Sequence, residues 1–171
     1  MKKLTLSLVF MTLLSACVGI PDNVTPASNF ELSRYLGKWY EIARLDHRFE
    51  RGLSKISAQY SLRDDGGVKV LNRGYSEEKQ KWQQAEGKAY FVEDENTGHL
   101  KVSFFGPFYG SYIIFELDKE YQYAMISGPD TEYLWILSRT PQLDPAITDR
   151  LVSKANSLGF NTDELIYVEH E

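Results

Sequence analysis

The chain has 171 residues, a formal net charge of −5 at pH 7, 43% apolar residues and 13% aromatic residues. This length predicts one domain that can bury a sizeable core, and the many tyrosines and phenylalanines favour β structure. The acidic balance argues against a nucleic-acid-binding protein, which needs clustered lysine and arginine, so no nucleic acid is expected as a partner.

Residues 1–16 have the pattern of a lipoprotein signal peptide. Lys2 and Lys3 give a positive start, and residues 4–14 are an apolar stretch too short to span a bilayer comfortably. Leu14-Ser15-Ala16-Cys17 is similar to the bacterial lipobox, in which the cysteine becomes the first mature residue and carries acyl chains such as palmitate. The alternatives are an ordinary signal peptide and a buried cysteine.

Cys17 is the only cysteine, so the chain has no internal disulfide. Several acyl chains together make a stable anchor, whereas one binds only marginally. Val18 follows Cys17, and the absence of an aspartate there favours sorting to the outer membrane in enteric-type bacteria. We therefore expect a protein that is lipid-anchored in the cell outer membrane after cleavage of the signal.

Residues 17–31 are expected to be a lipidated N-terminus and tether, because they combine prolines and a glycine with many polar residues. The folded domain is expected over residues 32–171. Within it, short alternating runs separated by turn residues predict eight strands, at residues 38–47, 53–62, 68–75, 82–92, 99–105, 111–117, 121–127 and 132–139.

Two glycine positions carry information about these strands. Asp64-Asp65-Gly66-Gly67 predicts a hairpin turn between the second and third strands. Gly87 indicates a bulge or a bend in the fourth strand. Eight strands joined by hairpins are typical of a sandwich or an up-and-down barrel, and a barrel of eight strands is just wide enough to hold one small ligand.

After the last of these strands the hydrophobic period changes to that of a helix. Asp144 is a good N-cap, Pro145 suits the first helical position, and Gly159 is expected to end the helix. A short final strand is expected at residues 165–168.

Two motifs resemble the signatures of the lipocalins. Gly37-Lys38-Trp39-Tyr40-Glu41-Ile42-Ala43 is similar to the first signature, and Tyr133-Leu134-Trp135-Ile136-Leu137-Ser138-Arg139-Thr140-Pro141 to the third. The resemblance implies an all-β fold, an eight-stranded antiparallel up-and-down lipocalin barrel with one C-terminal α-helix. It covers most of residues 30–168 and extends to the bacterial lipocalins, which are outer-membrane lipoproteins, and next to the apolipoprotein D group of the calycin superfamily.

In that family the first tryptophan plugs the closed end of the barrel and an arginine stacks over it. The resemblance therefore implies that Trp39 and Arg139 close this barrel through a cation–π contact. By alternation along the first strand, Glu41 and Ala43 are expected on the same face as Trp39.

The sequence contains no recognisable catalytic site. Neither a Gly-x-Ser-x-Gly motif nor a phosphate loop is present. His47, His99 and His170 lack the spacing of metal ligands, and each is expected at the surface. We therefore interpret the chain as a binding protein and not an enzyme, with no metal and no cofactor.

Strand alternation predicts which side chains line the barrel. The expected ligand-binding residues are Tyr60, Asn72, Phe104, Tyr133 and Trp135. Asn72 could fix a polar head or an ester, and an outward position paired across strands is equally open. The family implies storage or transport of a fatty acid, a lysophospholipid or a phospholipid. The alternative is a structural or interaction lipoprotein whose barrel is packed solid and holds no ligand.

Aromatic residues in connections predict the rim of the entrance. Connections alternate between the two ends of an up-and-down barrel, so the first and the fifth share an end, which the family makes the open one. Phe49, Phe108 and Tyr109 should therefore surround the entrance. They could contact a lipid tail, touch the membrane surface or pair with a second copy in a homodimer. Alternatively, they fold back and cap the core.

Overall fold

The computed structural model describes residues 18–170, so the lipobox and Cys17 lie outside the described residues. Within this range there are nine β-strands, two α-helices and one 3-10 helix. In chain order they are α1 (Leu32–Tyr35), β1 (Gly37–Arg44), β2 (Leu53–Leu62), β3 (Val68–Ser76), β4 (Lys81–Phe91), β5 (His99–Phe105), β6 (Phe108–Leu117), β7 (Tyr123–Ser127), β8 (Leu134–Ser138), α2 (Pro145–Ser157), the 3-10 helix (Thr162–Glu164) and β9 (Ile166–Tyr167). None of the described helices has both the length and the apolar character needed to cross a membrane.

The first eight strands form a closed antiparallel barrel. Each strand pairs with its neighbour in sequence, and β1 pairs with both β2 and β8, which closes the sheet. The short strand β9 adds to the last residues of β1. The predicted eight-stranded up-and-down barrel with one C-terminal helix is therefore confirmed.

Side chains pack into two hydrophobic cores, one on each side of the barrel wall. The inner core fills the barrel and includes Trp39, Tyr60 and Ile126. The outer core lies between the wall and α2 and includes Met125 and Leu151. Because both faces of β7 and β8 are covered, these two strands are almost continuously apolar.

An irregularity in β1 changes which face its last residues occupy. The register with β8 shifts between Glu41 and Ala43, as in a β-bulge. Ile42 and Ala43 therefore both belong to the outer core, whereas Trp39 belongs to the inner one. The prediction that Ala43 shares the face of Trp39 is wrong, because strict alternation fails at a bulge.

Helix α2 is fixed to the outside of the barrel by a cap, an apolar stripe and an ion-pair cluster. The Asp144 carboxylate accepts a hydrogen bond of 2.8 Å from the Ala146 amide, as an N-cap does. Leu151 is fully buried in the outer core. The Glu116 carboxylate on β6 pairs with Arg150 at 3.0 Å and also with Lys154.

Residues 19–29 lie against the outside of the barrel near β5 and β6 instead of forming a free tether. The Ser111 hydroxyl donates a hydrogen bond of 2.6 Å to the Gly19 carbonyl. The Ala27 amide donates a hydrogen bond of 2.8 Å to the Ile114 carbonyl, the Ala27 carbonyl accepts one of 2.8 Å from the Gly98 amide, and Phe30 is buried in the inner core. The expected tether over residues 17–31 therefore packs on the barrel for most of the part that the structure describes, residues 18–31.

Candidate functional site

At one end of the barrel, Trp39 is fully buried beneath an arginine. The guanidinium carbon of Arg139 lies 3.9 Å from the centroid of the Trp39 ring. The indole nitrogen donates a hydrogen bond of 2.7 Å to the Tyr35 carbonyl, and the Tyr35 ring lies 4.8 Å away, centroid to centroid. This is the geometry that the lipocalin resemblance implied for the closed end.

The same arginine also ties three backbone segments together. Its guanidinium donates hydrogen bonds to the carbonyls of Arg34 at 2.7 Å, Lys38 at 2.9 Å and Tyr121 at 3.2 Å. Gly37 lets the guanidinium come this close. Its φ of +98° is one that residues with a side chain rarely adopt, and a Cβ there would lie 3.3 Å from a guanidinium nitrogen of Arg139. Arg139 therefore joins α1, β1 and the β6–β7 connection.

Above this closed end, the barrel contains a cavity of about 100 Å³, room for several water molecules or part of an acyl chain. Its lining is mainly apolar and aromatic, with a few polar groups. The lining residues are Glu41, Glu50, Ile56, Ser57, Ala58, Tyr60, Val70, Asn72, Val102, Phe104, Ser111, Tyr112, Ile126, Trp135 and Leu137.

Four of the five expected ligand-binding residues lie in this lining, namely Tyr60, Asn72, Phe104 and Trp135. Tyr133 does not, because β8 begins one residue later and alternation cannot be extended to it. Its ring stacks on Trp135 at 6.2 Å and lies 6.2 Å from the His47 ring.

Gly87 makes room for Phe104 in the cavity wall. The pairing of β3 with β4 is regular through Gly87, so no bulge interrupts it at this position. A Cβ at Gly87 would lie 2.9 Å from the Phe104 ring and from the Ser103 carbonyl. The close approach of β5 therefore explains the glycine.

Three tyrosine hydroxyls form the floor of the cavity. The Tyr112 hydroxyl lies 2.7 Å from the hydroxyls of both Tyr35 and Tyr60, so the three phenols satisfy one another inside the barrel. Burial is the largest cause that raises the pKa of each phenol, which keeps all three neutral. Below them remains a void of only about 10 Å³, so ligand space ends at this floor.

The opposite end of the cavity carries a buried polar cluster. The Arg44 guanidinium donates hydrogen bonds to the Glu41 carboxylate at 2.9 Å and to the Glu50 carbonyl at 3.2 Å. The Glu50 carboxylate accepts a hydrogen bond of 3.1 Å from the Trp135 indole and lies 2.9 Å from a ring nitrogen of His47. Residues 45–52, the connection between β1 and β2, thus fold over the cavity mouth.

The two carboxylates of this cluster differ in their protonation. Burial, and next the nearby charge of Glu50, raise the pKa of Glu41 well above its ordinary value, although Arg44 opposes them. Burial alone would raise the pKa of Glu50 as well, but His47 and the Trp135 indole lower it overall. Glu50 therefore carries the negative charge that faces the cavity, and Glu41 tends to hold a proton.

Two of the three histidines are buried, which contradicts the prediction that each lies at the surface. His47 is 7% exposed and lies against the Tyr133 and Trp135 rings, and His99 is 5% exposed beneath the N-terminal segment. The residues that cover these histidines are distant in sequence, so no periodic pattern near either histidine could have predicted its burial. Within residues 18–170, no group of three or more metal-binding side chains is arranged to hold an ion.

Sequence reasoning missed Glu41, Arg44, Glu50 and Tyr112 as residues of the site. Glu41 could have been found, because it alternates with Trp39 on β1, and Tyr112 could have been found by alternation with Ile114. Arg44 and Glu50 follow the bulge or lie in a connection, where no periodic signal exists.

The residues expected at the entrance rim occupy different positions. Phe49 is 59% exposed and Phe108 is 69% exposed, so neither folds back to cap the core. The ring of Tyr109 instead lies on the outer wall, 6.4 Å from the Tyr90 ring and 5.4 Å from the Lys101 ammonium. A further exposed aromatic, Phe105, is 70% exposed opposite Phe108 and was not predicted.

Comparisons with known proteins agree on one family. The family model described as "Lipocalin-like domain" matches residues 30–170. The outer membrane lipoprotein Blc of Vibrio cholerae is 61% identical over 160 residues, which cover 93% of this chain and 94% of that protein. The protein of the same name from Escherichia coli strain K12 is 54% identical over 149 residues, covering 87% and 84%. Insecticyanin from the tobacco hornworm shares the fold at 21% identity, with a TM-score of 0.71 and coverage of 90% and 87%.

Proposed function

This chain belongs to the lipocalin family, as its motifs predicted, and from that premise we propose that it carries a single-chain lipid at the bacterial outer membrane. As a lipocalin it is a binding protein for a small hydrophobic ligand. The lipid class and the membrane location are the proposed part.

The observation that carries this proposal is the cavity, which is apolar along its walls and polar at its mouth. Its walls of valine, isoleucine, leucine and aromatic side chains suit an acyl chain, and the tyrosine floor limits its depth. A cavity of about 100 Å³ favours a carrier over a solid-packed barrel. The limited space also favours one acyl chain over two.

The charges at the mouth favour a lysophospholipid over a free fatty acid. The ionisable acidic side chains that line the cavity are Glu41 and Glu50, of which Glu50 carries the charge, and within the described residues no lysine or arginine lines it. A fatty acid carboxylate beside Glu50 would be repelled, whereas the ammonium of an ethanolamine or choline headgroup would be attracted. The Asn72 amide can donate to the ester carbonyl between headgroup and chain.

The membrane location is supported by the lipobox and by the relatives. Both bacterial relatives are named outer membrane lipoproteins. Cys17 is the only cysteine available to carry acyl chains. We propose that this chain is anchored there in the same way, through acyl chains on Cys17.

Filling the cavity should abolish lipid binding. Ala58 lines the cavity, so we expect that Ala58→Trp reduces the affinity for a fluorescent lysophosphatidylethanolamine by at least about tenfold, since its indole occupies the space of the chain. The affinity is measured by titration of delipidated protein. The matched control is Gln59→Trp, the exposed neighbour on β2, which should leave affinity unchanged.

The same titration decides between a barrel that carries a lipid and a barrel that is packed solid. Saturable binding of the lysophospholipid, tighter than that of a fatty acid with the same chain, agrees with the carrier. If the delipidated wild-type protein showed no saturable binding of either lipid, the solid-packed alternative would replace the proposed function.

Removing the acylated side chain should release the protein from membranes without unfolding it. We expect Cys17→Ser to move the protein from the outer-membrane fraction to the soluble fraction, because the acyl chains on Cys17 are the proposed anchor. The circular dichroism spectrum and melting temperature should match those of the wild type. A Cys17→Ser protein that still floats with outer membranes would contradict the lipobox interpretation.

A further inference from the structure

The N-terminal segment limits where the membrane anchor can lie relative to the barrel. Gly19 is fixed to the wall of β6 by the hydrogen bond from Ser111, and the backbone of Val18 is hydrogen-bonded to the His99 side chain. Only Val18 separates Cys17 from Gly19. The acylated residue therefore has almost no free chain between itself and the folded barrel.

Chain dimensions convert this connection into a distance from the bilayer. Two residues span at most about 7 Å, so Cys17 lies within that distance of Gly19. Ser111 is three residues from Phe108 along β6, or about 10 Å in a strand. An anchor at Cys17 therefore holds the tip of the β5–β6 hairpin within roughly 20 Å of the membrane interface.

This hairpin has the chemistry of a surface that enters a lipid interface. Residues 105–110 read Phe-Gly-Pro-Phe-Tyr-Gly and carry no charge. Phe105 and Phe108 are the two most exposed large apolar side chains among the described residues, at 70% and 69%. The Lys101 ammonium lies 5.4 Å from the Tyr109 ring, which places a cation beside the aromatics as anionic headgroups prefer.

We propose that residues 105–110, the tip of the β5–β6 hairpin, form a membrane-docking surface that inserts Phe105 and Phe108 into the interface of an anionic phospholipid bilayer. We call this segment the docking hairpin. The proposal rests on the acylation of Cys17 in the proposed function. One attachment point leaves the barrel free to rotate, whereas a second contact at the hairpin fixes its orientation.

The fixed orientation presents the cavity mouth to the membrane. The β5–β6 connection and the β1–β2 connection lie at the same end of the barrel, and the β1–β2 connection covers the mouth with Glu50. Phe104, next to Phe105 in the chain, lines the cavity itself. A lipid can therefore move between the bilayer and the cavity along a short path that avoids bulk water.

A depth measurement on the acylated protein tests this orientation. Because the sulfur of Cys17 carries a diacylglyceryl group in the proposed function, a second cysteine is the only free thiol, so Phe108→Cys and the control Leu62→Cys can each be labelled with one fluorophore. Leu62 is the matched control, being 65% exposed at the far end of β2. In vesicles of phosphatidylethanolamine and phosphatidylglycerol, we expect quenching by a lipid-borne quencher to be several-fold stronger at position 108 than at position 62. Aqueous iodide should give the reverse order.

Three results would overturn the docking surface. Equal lipid quenching at both positions would mean that the barrel has no fixed orientation. Quenching at position 108 that depends on protein density and not on the lipid quencher would mean that a second copy covers the hairpin. A mass spectrum of the purified protein without acyl chains on Cys17 would remove the anchor and overturn the docking and the membrane location together.

A transfer assay separates this proposal from the proposed function. Phe105→Ser with Phe108→Ser should slow lysophospholipid transfer from vesicles several-fold, while affinity for the dispersed lipid stays unchanged. Leu62→Ser should alter neither. If the wild-type protein showed no affinity for dispersed lysophospholipid, the carrier function would be refuted. The docking surface would not be, because the quenching pattern does not depend on a ligand. An unchanged transfer rate in the double variant would refute the docking role.

Discussion

Trp39→Ala should lower the free energy of unfolding by about 3–5 kcal/mol, the usual cost of deleting a large buried aromatic side chain. The ring is fully buried, contacts Tyr35 and Arg139, and loses a hydrogen bond to the Tyr35 carbonyl when it is removed. Urea unfolding followed by circular dichroism measures the change.

Arg139→Ala should cost less, about 1.5–3 kcal/mol, because a charged donor to three carbonyls is lost but the region stays partly solvated. The double variant should be less destabilised than the sum of the two, since the two side chains touch.

Trp82 and Arg73 form the matched control, with the guanidinium 4.0 Å from the ring on the outer wall. Their coupling should be no more than about 1 kcal/mol. Full additivity for Trp39 and Arg139 would show that their stacking contributes nothing to stability.

Arg44→Met should destabilise the protein by about 1–3 kcal/mol at neutral pH, because the buried Glu41 carboxyl and the Glu50 carbonyl lose their hydrogen-bond donor. The Arg44 and Glu41 side chains are 3% and 4% exposed, and their atoms are 2.9 Å apart. The pKa of Glu41 is already raised by burial, and the loss of Arg44 raises it further. A group with a raised native pKa contributes stability below its unfolded pKa and loses it as pH rises through the native value. The effect of Arg44→Met should therefore be smaller at acid pH than at pH 8.

Removing both side chains should restore most of the lost stability. Glu41→Leu with Arg44→Met replaces the buried pair by apolar side chains, which is often neutral or stabilising. Arg51→Met is the surface control, because Arg51 and Asp46 form an exposed pair and its removal should hardly change stability. A loss that is independent of pH, and that the double variant does not reverse, would exclude the unpaired Glu41 as its cause.

If both results are obtained, the barrel is stabilised at its two ends by different means. The closed end depends on a buried aromatic ring and its arginine, and the open end on a balanced set of buried charges. Only the open-end cluster touches the ligand space, through Glu41 and Glu50. A substitution there should change lipid affinity and pH dependence together, whereas a substitution of Trp39 should act on affinity only through stability.

Most of the framework could be predicted because it is encoded by neighbouring residues. Alternation between apolar and polar side chains and the turn at Asp64–Gly67 depend on local geometry, so the eight strands and their order were readable. The same holds for helix α2, whose N-cap at Asp144 and apolar stripe lie within a few turns of each other. Four of the five expected ligand contacts face the cavity for the same reason, since they lie inside regular strands.

The tertiary structure alone decided the polar mouth, the course of the N-terminal segment and the exposure of Phe105 and Phe108 in the β5–β6 hairpin. The bulge after Glu41 puts Arg44 back inside the barrel, and a bulge depends on how two distant strands pair. Likewise, His47 and His99 are buried by segments far from them in sequence. Local pattern determines which face of a strand a residue occupies, but what covers that face is set by contacts between distant segments, and for this chain those contacts shape the site.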